Sequence, residues 1–194
     1  MQKLIEYANE IMEYISTYKE VRSCTLYGSL ANNNFDEYSD IDIEIDVSGY
    51  DNSLFVTRLS EIMAIKYPII FSDYAPSLIP ESYVVSIAID ENNPFCVVDF
   101  KCVANPHYTT LGKKDFILDK VEHTMKIWTA NCKHYLRGID CQSDITKMAK
   151  RIIGAEKISY MSELELLDVT LNWLEQNCEE KHYKYVSNCR KFIE

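Results

Sequence analysis

Asp40-Ile41-Asp42-Ile43-Glu44-Ile45-Asp46-Val47 alternates without a break. Four apolar side chains fall on one side and four carboxylates on the other, the period-two pattern of a half-buried strand. Isoleucine and valine favour the extended backbone, and burying them fixes which face turns toward a core. Upstream, Val21 to Tyr27 reads as a short strand that stops at Gly28-Ser29, and a polar loop, Ala31 to Ser39, joins the two. Before that, Leu4, Ile5, Ala8, Ile11, Met12 and Ile15 recur at steps that place them on one helical face within 3–19.

Downstream, Gly49-Tyr50-Asp51-Asn52 punctuates, and Leu54, Phe55, Leu59, Ile62 and Met63 predict a helix over 53–66. Pro68 to Phe71 is expected as a short strand. Ser82 to Ile89 and Phe95 to Val103 are two β-rich runs joined by Asp90-Glu91-Asn92-Asn93-Pro94, a hairpin turn by composition. Residues 104–114 read as a loop. Residues 115–129 fit either a helix or two strands around a polar turn. Beyond Gly138 the period is helical: Ser143 to Ile158, a helix to about Asn177 opened by the capping-box pattern Ser162-Glu163-Leu164-Glu165, and a last helix over 182–193. The expected division is 1–130 and a helical region, 131–194.

The 194 residues carry a formal net charge of −10. Between Leu30 and Asp99 stand 13 Asp/Glu against two basic residues, Arg58 and Lys66, so the excess sits in that stretch. This balance argues against gripping nucleic acid by counterion release and against a polybasic membrane binder. It suits bound metal ions or a cationic substrate. No apolar run reaches the ~20 residues of a membrane span, and Met1 to Glu13 shows no signal-peptide pattern. The seven cysteines are odd in number and scattered, which reads as reduced thiols in a cytoplasm. Cys96, Cys102 and His107 match no standard zinc spacing, and core cysteines are the expectation.

Asp40 and Asp42, two residues apart on a strand, project together. Like charges that close repel unless one is protonated or a cation neutralises them, and hard carboxylate oxygens suit Mg²⁺ or Mn²⁺. Gly28-Ser29 would offer backbone N–H groups and a hydroxyl to phosphate oxygens. Asp99, alone in the apolar run Phe95-Cys96-Val97-Val98-Asp99-Phe100, is costly to bury without a partner or a metal. It is the candidate third ligand.

Gly-Ser, a spacer of about ten, Asp-x-Asp and a later strand Asp resemble the DNA polymerase β-like nucleotidyltransferase superfamily over residues 21–103. The resemblance implies an α+β (α/β-like) nucleotidyltransferase fold, a small mixed sheet flanked by helices with a short C-terminal helical region. It implies that Gly28 and Ser29 hold an NTP triphosphate, that Asp40 and Asp42 bind the metals, and that Asp99 is the third ligand near the acceptor hydroxyl. The reaction implied is transfer of a nucleoside monophosphate, AMP from ATP, to a hydroxyl with release of pyrophosphate. More narrowly, "VRSCTLYGSLANNN", "YSDIDIEID", "VVDFKCV" and "FILDKVEHTMKIW" look like bacterial aminoglycoside adenylyltransferases, the streptomycin 6-type above all. That comparison implies strands over 115–129 and a small cationic acceptor. Leu30 departs from the arginine these enzymes often carry after Gly-Ser, and the chain is shorter than most of them.

Other readings stand beside these. Gly-Ser alone is a common turn, and Asp-x-Asp alone is a polar edge; their combination at this spacing favours chemistry. Glu44 and Asp46 share the carboxylate face but lie further along the strand and read as solvated, a contact of Glu44 with a cationic substrate being the lesser reading, and Asp90 reads as a turn residue. Lys147, Lys150 and Arg151 make either a solvated helix face or, through Lys147 and Lys150, ligands of the triphosphate. Tyr27, Tyr38 and Tyr74 are core residues or stack a ring. The alternative functions are an antitoxin-type enzyme modifying a partner protein and a non-catalytic nucleotide-binding relative.

Overall fold

The alternating stretch forms strand β2 (Ile41–Asp46), and the side chains of Ile41, Ile43, Ile45 and Val47 are fully buried while Asp42, Glu44 and Asp46 on the other face are half-buried. The computed structural model describes residues 2–75, 79–158 and 160–194. Strand β2 pairs antiparallel with β1 (Ser23–Tyr27) and parallel with β5 (Val97–Val103). Strand β4 (Tyr83–Ala88) runs antiparallel to β5, and β3 (Phe71–Tyr74) antiparallel to β4. The order β1-β2-β5-β4-β3 makes a mixed five-stranded sheet, and with its helices the chain is α+β, as expected. The short strand expected over Pro68 to Phe71 instead begins at Phe71.

Helices α1 (Gln2–Ile15) and α3 (Asn52–Ala64) cover the apolar face of the sheet. Leu4, Ala8, Ile11 and Ile15 of α1 meet Phe55, Val56, Leu59, Ile62 and Met63 of α3 in one core with the β2 isoleucines, Val85, Ile87, Val98 and Phe100. Asp51 caps α3, its carboxylate accepting from the N–H groups of Ser53 and Leu54 and the hydroxyl of Ser53. Asn52 and Ser53 are fully buried polar residues, and each is paired, as burial requires. Asn52 donates to the Pro80 carbonyl and accepts from Tyr108 N–H, while the Ser53 hydroxyl accepts from Leu111 N–H. The loop after β5 is thereby tied to the head of α3. Cys102 is a core residue, its thiol donating to the Asn52 carbonyl. Among the described residues no cysteine is in a disulfide.

The chain divides into two compact units: residues up to Ile89 with Phe95–Leu118, and Asp90–Pro94 with Asp119–Glu194. Of residues 115–129, open between a helix and two strands and tipped to strands by the resemblance, the part from Lys120 onward is helical, in α4 (Lys120–Leu136) of the second unit. The Asp119 carboxylate accepts from the N–H groups of Val121 and Glu122, and Thr124, Met125, Trp128, Thr129 and Cys132 are buried at helical steps. That face outweighs the local alternation: the Trp128 indole is fully buried and donates to the Leu167 carbonyl. Helix α5 (Gln142–Ile153) ends at Gly154, short of the expected Ile158. Helix α6 (Glu163–Asn177) starts with the expected box, the Ser162 hydroxyl accepting from Glu165 N–H and the Glu165 carboxylate accepting from Ser162 N–H. Helix α7 (Tyr183–Arg190) closes the unit, the Tyr185 hydroxyl sharing a hydrogen bond with Thr129 and donating to the Pro94 carbonyl. Among the described residues, no helix is long and apolar enough to cross a membrane.

Burial on its own would raise the pKa of Asp51, but the hydrogen bonds its carboxylate accepts hold that pKa below the ordinary carboxylate value. A depressed folded-state pKa contributes stability that is present above the unfolded value and lost as pH falls through the folded one. Asp51→Ala is therefore expected to cost about 1 kcal/mol at neutral pH in urea unfolding. The gap from the wild type should narrow as the pH drops below about 4.

Candidate functional site

Strand register places the site. Tyr27 of β1 stands opposite Asp42 of β2, Asp42 opposite Asp99 of β5, Asp99 opposite Ser86 of β4, and Ser86 opposite Asp73 of β3. Register partners project from the same face of a sheet, so these five side chains form one row on the face turned away from the α1–α3 core. Asp42 and Asp99 are neighbours in that row, with backbones ~4.8 Å apart. Asp40 lies just before β2, two residues from Asp42, and is half-buried.

Gly28 begins a four-residue helix, α2 (Gly28–Ala31), rather than a bare turn. Its φ is +70°, and a Cβ built there would stand 1.9 Å from Asp42 Oδ2. Any side chain at this position would strike the carboxylate, so glycine is what lets Asp42 lie against the backbone that leads to Ser29. The segment is held from behind: the Asn32 amide donates to the Gly28 carbonyl and Asn34 N–H to the Ser29 carbonyl. Leu30, which stands where an arginine is common in the adenylyltransferases, is buried in the core of the sheet. The position serves packing here.

Tyr27 senses the charge of this face. Burial, and after it the negative charges of Asp42, Asp99, Glu44 and Asp40, push its phenol well above the ordinary tyrosine value. The phenol stays protonated, and all three expected metal carboxylates act on it. One row along, Glu44 and Lys101 are register partners, and Lys101 Nζ lies 2.7 Å from Glu44 Oε2. The same ammonium lies 5.9 Å from the centre of the Tyr27 ring.

Two of these residues escape a reading of the sequence. Lys101 repeats on β5 the spacing of Glu44 on β2, but the pairing of strands more than 50 residues apart is not local information. Asp73 is buried on β3 in the row with Asp99; the period-two run Phe71-Ser72-Asp73-Tyr74 is its only trace in the sequence. Tyr38 and Tyr74 pack as expected of core residues, edge-on to Phe95 at 5.2 Å and to Phe116 at 4.6 Å between ring centres. Lys147 and Lys150 are exposed on α5 of the second unit, and Lys147 is paired with Asp144 at 2.8 Å.

The donor set on this face is carboxylate oxygen throughout, which suits a hard divalent cation. Among the described residues no three His, Cys, Asp or Glu side chains stand close enough to hold a metal ion. Cys96, Cys102 and His107 therefore make no zinc set, and His107 faces Glu81 at 3.9 Å. The carboxylates form a register pair, Asp42 and Asp99, with Asp40 adjacent. Much of the acidic stretch is otherwise engaged: Asp36 accepts from Tyr38 N–H and the Ser39 hydroxyl, Asp46 from Ser48 N–H, and Asp90 from Asn92 N–H.

The family model described as "Polymerase beta, Nucleotidyltransferase" matches residues 9–81, which include Gly28, Ser29, Asp40 and Asp42. No curated protein sequence matches the chain significantly. Among solved structures, a GLD-2/RNP-8 complex is similar at 12% identity and a TM-score of 0.38, covering 92% of this chain and 52% of the other. The chain thus spans about half the length of that relative. The cyclic dinucleotide synthase CdnE of Elizabethkingia meningoseptica, solved with GTP and Apcpp, is similar at 14% identity and a TM-score of 0.34, covering 97% and 81%. The family match spans β1, β2 and α3, the elements that carry Gly28, Ser29, Asp40 and Asp42, on a mixed sheet whose register sets Asp42 beside Asp99.

Proposed function

We propose that the chain is a metal-dependent nucleotidyltransferase, transferring AMP from ATP to a hydroxyl of a small acceptor and releasing pyrophosphate. The observation that carries this reading is the pair Asp42–Asp99 in register on parallel strands, with Asp42 packed against a Gly28 that has no room for a Cβ. The register pair Asp42 and Asp99 would hold Mg²⁺ or Mn²⁺ together with the triphosphate oxygens, with Asp40 beside them as the third carboxylate proposed. When bound, such an ion would neutralise charge developing on the phosphoryl oxygens and on the attacking and leaving oxygens. Gly28 and Ser29 would bind the triphosphate through backbone N–H groups and the Ser29 hydroxyl. Asp99, nearest the acceptor, would orient its hydroxyl and take its proton. Tyr27, its phenol kept neutral, would donate a hydrogen bond without adding a charge.

The acceptor in this reading is small and cationic, an aminoglycoside-like polyamine, with no nucleic acid and no membrane involved. The reason is the residual negative charge of the carboxylate face. Within that face the charge is densest where Asp42 and Asp99 stand side by side with Asp40 adjacent.

With Mg²⁺, ATP and a panel of hydroxyl compounds, the chain is expected to release pyrophosphate. Asp42→Asn/Asp99→Asn should lower the rate at least about 10³-fold, the equivalent of several kcal/mol of lost transition-state stabilisation. Undiminished turnover in that variant would remove these residues from the reaction. Gly28→Ala is expected to displace Asp42 and cost about 10²-fold in kcat, with KM for ATP changed less. A Gly28→Ala enzyme with wild-type kcat would show that the close approach carries no chemistry.

A further inference from the structure

The carboxylate face holds one lysine whose position bears on the others. Lys101 follows Asp99 by two residues on β5, so the two side chains project from the same face ~6.6 Å apart along the strand. Its four-carbon stem is flexible enough to bring the ammonium to any of three carboxylates: Glu44 straight across, Asp99 along its own strand, or Asp42 diagonally. A lysine left to choose would be drawn to Asp42 and Asp99, because two adjacent like charges attract a cation more strongly than one. The structure shows another choice. Lys101 Nζ lies 2.7 Å from Glu44 Oε2. Its contact with the Tyr27 ring, at 5.9 Å, adds a weaker hold from β1.

We propose that Glu44 is a positioning residue that retains the Lys101 ammonium, keeping it from competing with a divalent cation for Asp42 and Asp99. The proposal rests on the reading of Asp42 and Asp99 as metal ligands and adds what the neighbouring row does for them. Glu44 acts through Lys101, and it touches neither the metal nor a substrate. The pair is about one-third exposed on both sides, so the retained lysine stays movable and its contact is sensitive to salt. Glu44 belongs to the alternating run of β2, so the strand that supplies Asp42 also supplies the residue that guards it.

The test is Mn²⁺ binding by the full chain, followed by calorimetry at fixed ionic strength and compared across Glu44→Gln, Lys101→Met, the double variant and Asp42→Asn/Asp99→Asn. Glutamine keeps the shape of Glu44 and removes its charge. If the released ammonium occupies the ligand oxygens nine-tenths of the time, Glu44→Gln raises the apparent Kd about tenfold. Lys101→Met should bind Mn²⁺ at least as tightly as the wild type. In the Lys101→Met background, Glu44→Gln should have no further effect beyond about threefold, the non-additivity that marks one residue acting through another. Two results overturn the proposal while leaving the metal site standing: wild-type Mn²⁺ affinity in Glu44→Gln, or the same loss with and without Lys101, which would make Glu44 a ligand or a plain source of field. Wild-type chain that binds no Mn²⁺, or binds it unchanged after Asp42→Asn/Asp99→Asn, overturns the site reading and the proposal with it.

Discussion

The parallel pairing of β2 with β5 is the constraint on which the rest depends. It alone brings Asp99 beside Asp42, since no local turn joins these strands and a parallel connection demands a long crossover. Residues from α3 through β4 supply that crossover, and the buried Asn52 and Ser53 at the head of α3 tie it to the loop that follows β5. A slip of one residue in this register would turn Asp99 into the core and Val98 toward the carboxylates. Packing is what prevents it: Val98, Phe100 and Cys102 are fully buried on the same side as Ile41, Ile43 and Ile45.

Magnitudes explain why the face can stay charged. Two carboxylates ~5 Å apart repel by ~3 kcal/mol at an effective dielectric constant of about 20. Burying one isoleucine contributes about 1.5–3 kcal/mol, and β2 buries three of them and a valine directly behind its acids. Strand formation is driven from the apolar side, and the repulsion on the polar side is tolerated. That repulsion is also what a cation would relieve, so the site costs the fold a little stability in the form in which it would bind metal most readily.

The elements that a local pattern can specify were legible in the sequence: the two faces of β2, the amphipathic α1, the Ser162–Glu165 cap and the glycine after β1. Each depends on residues within a turn or two of one another. What escaped was non-local. Lys101 gains meaning only from its register with Glu44, and Asp73 only from two further pairings across β4. The segment 115–129 shows the opposite failure, where a local alternation around Phe116-Ile117-Leu118 and Met125-Lys126-Ile127-Trp128 competed with a helix. The Asp119 cap and the burial of Met125, Trp128 and Cys132 decided for the helix. A similarity to strands elsewhere could not anticipate that packing.

The acidity of the chain looks different once its carboxylates have places. Of the 13 acids between Leu30 and Asp99, Asp36, Asp46, Asp51 and Asp90 hold backbone N–H groups, the ordinary work of short acidic side chains at turns and helix starts. Glu44 and Glu81 face a lysine and a histidine. Glu91 faces Lys184, Glu37 lies in the loop before β2 and Glu61 on α3, while Asp42, Asp73 and Asp99 fall in one row with Asp40 at its edge. A local concentration of this kind is the stronger device: like charges aligned on a partly desolvated surface act on the same ion or ammonium group, whereas charges scattered over loops are screened within about 8 Å at physiological salt. Net charge drew attention to the segment, but the proposed site rests on the alignment of Asp42 with Asp99, not on the total.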